Sequence, residues 1–245
     1  MPQRIMFVIG TRPEAIKLAP VVLAAQRRPR EFQVCVVRTS QHREMLDQVL
    51  ADFDLHADFD LDVMRSNQDL AHVTSEVLCR LRDVILAERP DWVVVQGDTT
   101  TAFAGALAAF YEHTRVAHVE AGLRTWDRSQ PFPEETNRTL IAHLSDLHFA
   151  PTPGARHNLL REGIAEAHVI VTGNTAIDAL LLVLERAGAS SAADLDAAHP
   201  RLLITTHRRE NHGGPLEQIC AAIQLLLERH PELEVDFPVH LNPHV

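Results

Sequence analysis

The sequence predicts an α/β protein with a doubly wound, mostly parallel sheet, followed by a second and incomplete unit of the same class. Short apolar runs that are typical of buried strands alternate with helical patterns of ten or more residues, and this alternation favours parallel strands. With 245 residues, the chain has room for one large domain or two ordinary ones. A low-complexity stretch, residues 188–200, separates the long first part from the short second part.

The chain begins with a predicted buried strand at residues 4–9, which runs directly into a predicted helix. Thr11 and Glu14 fit a capping box, and Pro13 suits the first turn of that helix. Apolar runs and helical periodicity predict the elements that follow. They are a strand at 33–37, helices from 41 and at 70–87, a strand at 92–95, a helix at 101–111 and a strand at 116–119.

The segment 118–138 predicts a functional loop between a strand and a helix. It lacks apolar periodicity from residue 122 to 133 and concentrates carboxylates, arginines and prolines, and long loops in compact domains are usually functional or disordered. A helix at 133–144, a strand at 147–150, a helix at 154–161 and a strand at 168–171 follow. We therefore predict a first domain over residues 1–171.

The remaining residues, 172–245, predict a partial second domain. A helix starts near Gly173, and the connector 188–200 follows it. After the connector come a strand at 202–206, a helix at 216–227 and a strand at 235–239. About 74 residues are too few for a complete α/β domain, so we expect a truncated unit.

The composition excludes several functional classes. A net charge of −10 and a pI near 5.8 disfavour broad binding to nucleic acid or to an anionic membrane. Three widely spaced cysteines indicate a reducing compartment without a disulfide framework, and the fifteen histidines form no metal-ligand spacing, so we expect no metal. The longest uncharged stretch is shorter than the ~20 residues that span a bilayer. The sequence thus predicts a cytoplasmic protein without a membrane segment.

Polar side chains follow several predicted strands, at the edge where ligands bind in open parallel sheets. Arg12 stands at a helix start, where it is either a surface cation or part of a diphosphate site, and Lys17 lies on the same helix. Asp98 is either a helix N-cap or a functional acid. Glu120 ends a buried strand, so its carboxylate needs a partner or a ligand. His207 is a candidate phosphate ligand or general acid.

Three further acids belong to the loop. Asp127 is most simply a solvated turn residue. Glu134 and Glu135 occupy a first helical turn, where acids stabilise the helix dipole by roughly 0.3–1 kcal/mol each. The chain contains neither G-x-G-x-x-G nor a Walker loop, which disfavours nicotinamide enzymes and P-loop proteins. The residues alone thus indicate a cleft that binds an anionic ligand beside carboxylates that move protons.

Eight motifs, spread over the chain in order, resemble the non-hydrolysing UDP-N-acetylglucosamine 2-epimerases. They are GTRPEAIKLAP at 10–20, QHREM at 41–45, QGDTTT at 96–101, HVEAGLRT at 118–125, PFPEETNR at 131–138, GNTAIDA at 173–179, THRREN at 206–211 and PVHLNP at 238–243. The resemblance implies two Rossmann-like domains in the GT-B arrangement, here with an incomplete second one. It also implies a homodimer.

The resemblance implies interconversion of UDP-N-acetylglucosamine and UDP-N-acetylmannosamine without a cofactor, for cell-surface polysaccharide precursors. UDP is eliminated to give a glycal and is then added back with the opposite configuration at C2. The matching catalytic positions are Asp98, Glu120, Glu134 and His207. Arg12, Lys17 and Arg138 match substrate-binding positions. We assign the carboxylates jointly to proton transfer and His207 to the leaving diphosphate.

Members of the family in bacteria also bind a second substrate molecule as an activator, and Gln41, Arg208 and His240 match positions used there. Glu44 departs from the glutamine that is common in relatives. Family members also continue beyond the last motif, so we expect a truncated chain with poor UDP binding and little turnover. The alternatives are a hydrolysing epimerase, a GT-B glycosyltransferase and an inactive truncated product.

Overall fold

A seven-stranded parallel sheet forms the centre of the first of two units, Met1–Ala187. The computed structural model describes residues 1–39, 43–63, 69–188, 200–206 and 213–238, with only the backbone for 43–45. The strand order is β3-β2-β1-β4-β5-β6-β7, and every neighbouring pair is parallel. This confirms the predicted α/β class and the doubly wound sheet.

Seven helices alternate with these strands among the described residues of the first unit. In chain order the elements are β1 Gln3–Ile9, α1 Arg12–Gln26, β2 Phe32–Arg38, α2 Arg43–Asp52, β3 Phe59–Asp60, α3 Leu70–Glu88, β4 Trp92–Gln96, α4 Thr100–Tyr111, β5 Arg115–Val119, α5 Glu134–Leu144, β6 Leu147–Ala150, α6 Pro153–Arg161, β7 Val169–Val171 and α7 Thr175–Arg186. A short 3-10 helix, Glu166–His168, precedes β7. No described helix is both long and apolar enough to cross a bilayer.

Two apolar layers cover the opposite faces of the sheet. One layer packs α3, α4 and α5 against side chains such as Val8, Val95 and Val116. The other packs α1, α2 and α7 against alternate residues, such as Ile9 and Val119. Because strand side chains alternate between faces, neighbouring residues of one strand belong to different layers.

The sheet reverses its winding between β1 and β4, since α1 and α4 leave their strands on opposite faces. Backbone pairing between these two strands covers Ile5, Met6 and Phe7 and goes no further along the chain. The loops that follow the two strands therefore separate above the sheet. Such a switch point is the usual ligand crevice of an open α/β sheet.

The first unit extends to Ala187, beyond the predicted domain boundary at residue 171. The reason is α7, which buries Ala179 in the layer formed by α1 and α2. Arg186, at its end, donates hydrogen bonds to the carbonyls of Asp52 and Phe53. This helix therefore packs with the first unit.

The second unit, Gly188–Val245, contains one described βαβ motif. Its elements are β8 Arg201–Leu203, α8 Gly214–Arg229 and β9 Glu234–Asp236, and β8 pairs parallel with β9. Both strands are shorter than predicted and begin one residue earlier. The described residues of α8 include no buried side chain.

Candidate functional site

Asp98 lies in the turn between β4 and α4, next to Gly97, whose φ of 72° is left-handed. Its carboxylate pairs with the guanidinium of Arg138. Its carbonyl accepts a hydrogen bond of 2.9 Å from the amide Nδ2 of Asn137. Helix α4 is capped by Thr99, whose hydroxyl accepts from the backbone N–H of Ala102 at 3.0 Å. The helix-cap interpretation of Asp98 is therefore wrong, and its side chain instead pairs with a cation from α5.

Arg138 connects Asp98 to the loop before α5. Its Nη1 lies 3.3 Å from Oε2 of Glu135, a side chain that is almost fully buried. The other oxygen of Glu135 accepts hydrogen bonds from the backbone N–H groups of Thr125 and Trp126, at 3.0 and 2.9 Å. Glu135 is thus more than a helix-end acid, because it fixes the loop and orients Arg138.

Glu120 directly follows β5 and adopts a left-handed backbone with φ of 63°, which is unusual for a side chain of this size. Its carboxylate oxygens lie 2.8 and 2.7 Å from Nζ of Lys17. Nδ2 of Asn174, the residue that caps α7, donates to Glu120 at 3.3 Å. The sequence predicts that this carboxylate needs a partner or a ligand, and the structure gives it two partners, Lys17 and Asn174.

Arg12 is exposed at the first residue of α1. A cleft of about 520 Å³ beside it is lined mainly by apolar side chains of α1, α2 and α7. Asp98, Glu120 and Glu134 do not line this cleft. The polar site is therefore the edge formed by the loops after β1, β4 and β5, rather than the cleft.

The two remaining acids of the loop differ in their surroundings. Glu134 is half-buried in the first turn of α5, and no described residue forms a hydrogen bond or ion pair with its carboxylate. Asp127 is exposed and accepts hydrogen bonds from the backbone and hydroxyl of Ser129, which lower the pKa of Asp127 below its usual value. Asp127 is thus the turn residue that the sequence predicts.

Glu14 is fully buried beneath the switch point. Its Oε2 accepts from the backbone N–H groups of Gly10, at 2.9 Å, and Thr11. Its Oε1 accepts from the hydroxyl of Thr99 at 2.6 Å. Burial raises the pKa of Glu14, and the hydrogen bonds from Thr99, Thr11 and Gly10 oppose this rise. The capping-box pattern indicated only the local contacts of this side chain.

His118, on β5, fixes the turn that carries Asp98. Its Nε2 lies 2.7 Å from the carbonyl oxygen of Gly97, so Nε2 is the protonated nitrogen. The N–H of Gly97 donates to the carbonyl of Val119 at 3.0 Å. Burial lowers the pKa of His118 to about 3, so its ring is neutral at physiological pH. Both ends of the Gly97 peptide are thereby held by β5.

Four of the predicted site residues lie outside the described residues: Gln41, His207, Arg208 and His240. The structure pairs four of the others in two groups, and it pairs neither Arg12 nor Glu134 with a predicted site residue among those it describes. Asp98 joins Arg138, and Glu120 joins Lys17. No group of three or more His, Cys, Asp or Glu among the described residues is arranged to hold a metal ion.

The arrangement offers acids and cations side by side at the ends of neighbouring strands. Register pairs Gln96 with Val119, so the turns that carry Asp98 and Glu120 start from the same level of the sheet. Neighbouring strands are about 4.8 Å apart, so both carboxylates serve one edge. Cations at such an edge can hold an anionic group while the carboxylates exchange a proton with the same ligand.

Sequence reasoning missed several residues that shape this edge. Glu14, Thr99, His118 and Asn137 each hold a loop that carries a predicted site residue. Local patterns mark Glu14 and Thr99 only as candidates for helix capping. Of these four, His118 carried the clearest signal, because a histidine inside a run of valine and alanine predicts a buried, hydrogen-bonded ring.

Comparison with known proteins identifies one family. The family described as UDP-N-acetylglucosamine 2-epimerase matches residues 24–245. Among curated proteins, the UDP-N-acetylglucosamine 2-epimerase of Yersinia pestis is 49% identical over 99% of this chain and 66% of its own length. The enzyme of the same name from Bacillus subtilis is 48% identical, over 98% of this chain and 63% of its own length.

A crystal structure of UDP-GlcNAc 2-epimerase from Neisseria meningitidis, bound to UDP-GlcNAc, is similar to this chain with a TM-score of 0.90 and 46% identity. The match covers 99% of this chain and 67% of that one. The likeness agrees with the predicted GT-B-like fold class. The chain thus spans about two thirds of the length of the relatives that it matches.

Proposed function

The chain belongs to the UDP-N-acetylglucosamine 2-epimerase family, and on that premise we propose that it interconverts UDP-N-acetylglucosamine and UDP-N-acetylmannosamine. The proposed reaction removes the C2 proton and expels UDP from C1, which leaves a glycal. UDP then adds back at C1, and a proton returns to C2 on the other face. Both sugars carry the same atoms, so the reaction is an isomerisation.

The observation that carries this proposal is the pairing of two carboxylates with two cations at one sheet edge. Asp98 with Arg138, and Glu120 with Lys17, end neighbouring strands. A C2 proton is weakly acidic, so its removal needs a positioned base, and its return needs an acid on the opposite face. Because the two carboxylates come from different turns, they can supply a proton-transfer group to each face of the sugar at C2.

We assign Asp98, Glu120 and Glu134 jointly to proton transfer. Glu134 supports this role because its carboxylate is half-buried at a helix start and no described side chain pairs with it. His207 is proposed to protonate or hold the departing diphosphate.

The diphosphate is proposed to lie over the start of α1. Arg12 is exposed there, and a helix N-terminus adds backbone N–H groups and a positive dipole end. Lys17 and Arg138 complete the set of cations, and each also contacts one catalytic carboxylate. Loss of UDP from the sugar would thus be coupled electrostatically to the acids that move the proton.

We further propose that a second UDP-N-acetylglucosamine acts as an activator at Gln41, Arg208 and His240. We also propose that the protein works as a homodimer in the cytoplasm, supplying precursors of cell-surface polysaccharides. These proposals rest on the family resemblance of the sequence alone. They are separate from the assignment of the carboxylates.

Incubation of the purified protein with UDP-N-acetylglucosamine in heavy water tests the proposal. Deuterium should appear at C2 of both UDP-sugars with the UDP linkage intact, as NMR and mass spectrometry can measure. Free N-acetylmannosamine with UDP would instead indicate a hydrolysing epimerase. Transfer of the sugar to an added acceptor would indicate a glycosyltransferase. Absence of both deuterium and product would contradict the proposed activity.

A further inference from the structure

Glu14 makes contacts that exceed the needs of its own helix. One carboxylate oxygen accepts from the backbone of Gly10 and Thr11, and the other accepts from Thr99, which lies 85 residues further along the chain. The side chain is fully buried between these partners. It therefore joins the loop after β1 to the loop after β4.

Helix capping alone does not account for this burial. An N-terminal cap stabilises a helix through contacts with the backbone N–H groups of its first turn. Removing a carboxylate from water costs several kcal/mol, which hydrogen bonds offset only when they satisfy its oxygens. A capping glutamate on the surface would stabilise the helix without the cost of removing its carboxylate from water. The contact with Thr99 is the one that reaches beyond the start of α1.

The backbone does not hold the two loops together at this point. Pairing of β1 with β4 reaches Phe7 and Val94, whereas β1 continues to Ile9 and β4 continues to Gln96. Since α1 and α4 pack on opposite faces, the strands separate into the ligand crevice. Glu14 lies in this gap and accepts hydrogen bonds from the loop after β1 and from the loop after β4.

Each loop carries one residue of the proposed site. Arg12, the proposed diphosphate ligand, directly follows Thr11. Asp98, the proposed proton-transfer acid, directly precedes Thr99. We propose that Glu14 is a positioning residue whose buried carboxylate fixes the distance between the Arg12 loop and the Asp98 loop. This inference rests on the proposed function for its catalytic meaning, but its structural part does not.

The functional consequence concerns geometry. Catalytic groups need to be held within about 0.5 Å of the productive arrangement, and a displacement of 1 Å costs roughly 100-fold in rate. Arg12 is long and exposed, so it can follow a displaced ligand. Asp98 is fixed by Arg138 and Asn137 and cannot follow. Loosening the link should therefore lower kcat more than it raises KM.

The first test uses amide hydrogen exchange of the purified chain without ligand, with the variants Glu14→Gln, Thr99→Ala and Thr99→Ser. Thr99→Ala should speed exchange at Gly10 and Thr11 by roughly 10-fold, because their acceptor loses its anchor. Thr99→Ser keeps the hydroxyl and the helix cap, so it should restore wild-type exchange. Faster exchange confined to the start of α4 in Thr99→Ala would overturn the proposal.

The second test measures turnover by deuterium incorporation at C2. Glu14→Gln should lower kcat by roughly 10–100-fold and change KM by less than about threefold. Thr99→Ala should show a similar loss, and the double variant should be no worse than either single variant, because both break one link. Additive losses, or a loss in Thr99→Ser equal to that in Thr99→Ala, would contradict the proposal.

The two tests separate this inference from the proposed function. If the wild-type chain exchanges no deuterium with C2, the proposed function fails and amide exchange alone decides the role of Glu14. If the wild-type chain is active and Glu14→Gln retains full kcat, the positioning role fails while the proposed function stands. If Glu14→Gln does not fold, Thr99→Ala and Thr99→Ser still give the comparison across loops.

Discussion

Asp98 and Glu120 follow neighbouring strands, yet the structure holds them in different ways. Asp98 leaves the left-handed backbone conformation to Gly97, where a glycine adopts it without strain. Glu120 adopts that conformation itself, with φ of 63°. Left-handed backbone costs roughly 1–2 kcal/mol for an ordinary side chain. The turn at Asp98 is therefore relaxed, and the turn at Glu120 is strained.

The difference also concerns the partners of the two acids. Asp98 pairs with an arginine whose other contact, Glu135, fixes the loop before α5. Glu120 pairs with Lys17 from the start of the chain and with Asn174 from the start of α7. One acid thus depends on the loop that follows β5, and the other depends on the two helices of the opposite layer. Strain of this kind concentrates at functional sites.

The largest expected effect is on turnover. Asp98→Asn should lower C2 deuterium incorporation by at least ~100-fold, because the amide cannot transfer the proton. Asp127→Asn is the matched control: it makes the same change on an exposed acid of the neighbouring loop, and it should leave the rate within about twofold. Near-normal turnover in Asp98→Asn would remove Asp98 from proton transfer.

Glu135→Ala tests whether Glu135 stabilises the protein through its contacts with the loop and Arg138 or only as an acid at the helix start. It leaves two backbone N–H groups and Arg138 without their carboxylate, so the free energy of unfolding should fall by about 1–3 kcal/mol in urea denaturation. Glu134→Gln, one residue earlier, should change it by less than about 1 kcal/mol. Equal losses in the two variants would mean that Glu135 acts only through the helix dipole.

The pH dependence of stability distinguishes two buried groups near Asp98. The folded pKa of His118 is about 3 and its unfolded value is near 6.5, so stability is complete above the unfolded value and is lost as the pH falls towards 3. Glu14 has the opposite sign: its folded pKa is raised, so its contribution is present below 4.5 and is lost as the pH rises through the folded pKa. Each slope is at most about 1.4 kcal/mol per pH unit.

Urea denaturation over a pH series checks these signs. Between about pH 4 and 6, stability should rise less steeply with pH in His118→Gln than in the wild-type protein. In Glu14→Gln it should rise more steeply, since an opposing contribution is removed. The same slope in all three proteins would contradict the burial of these groups.

The smallest effect tests the strain directly. Gly97→Ala meets no atom within 4 Å, so its cost is the backbone alone, about 1–2 kcal/mol. Glu120→Gly relieves strain but loses the contact with Lys17, so stability should change by less than about 1 kcal/mol. Thermal unfolding of both variants measures the difference. A larger loss in Glu120→Gly than in Gly97→Ala would show that the ion pair outweighs the strain.

Much of the fold follows from local patterns in the sequence. The apolar runs predict β1, β4 and β5 to within one or two residues, and the helical periodicity predicts α3. The strand Phe59–Asp60 was missed because two residues at a sheet edge leave no pattern. The sequence places the domain boundary at residue 171, whereas the compact unit extends to Ala187, a difference that depends on the packing of α7 against α1.

In the candidate site, too, the sequence marks some residues but not the partners that they contact in the fold. Acids after buried strands mark Asp98 and Glu120 in the sequence, since the ends of parallel strands share one edge. Their partners are 40 and 103 residues away, and no local pattern encodes such separations. For the same reason, the sequence gives Glu14 a role in its own helix but no contact with Thr99. Partners at these distances become visible only when the chain is folded.

The left-handed turn at Glu120 also moves a side chain from one layer of the protein to the other. Val116 and His118 face the layer of α3 and α4, whereas Ala117 and Val119 face the layer of α1 and α7. Simple alternation would point Glu120 towards α4. The reversed torsion instead directs it to Lys17 on α1. A single backbone angle thus decides to which half of the doubly wound domain this acid belongs.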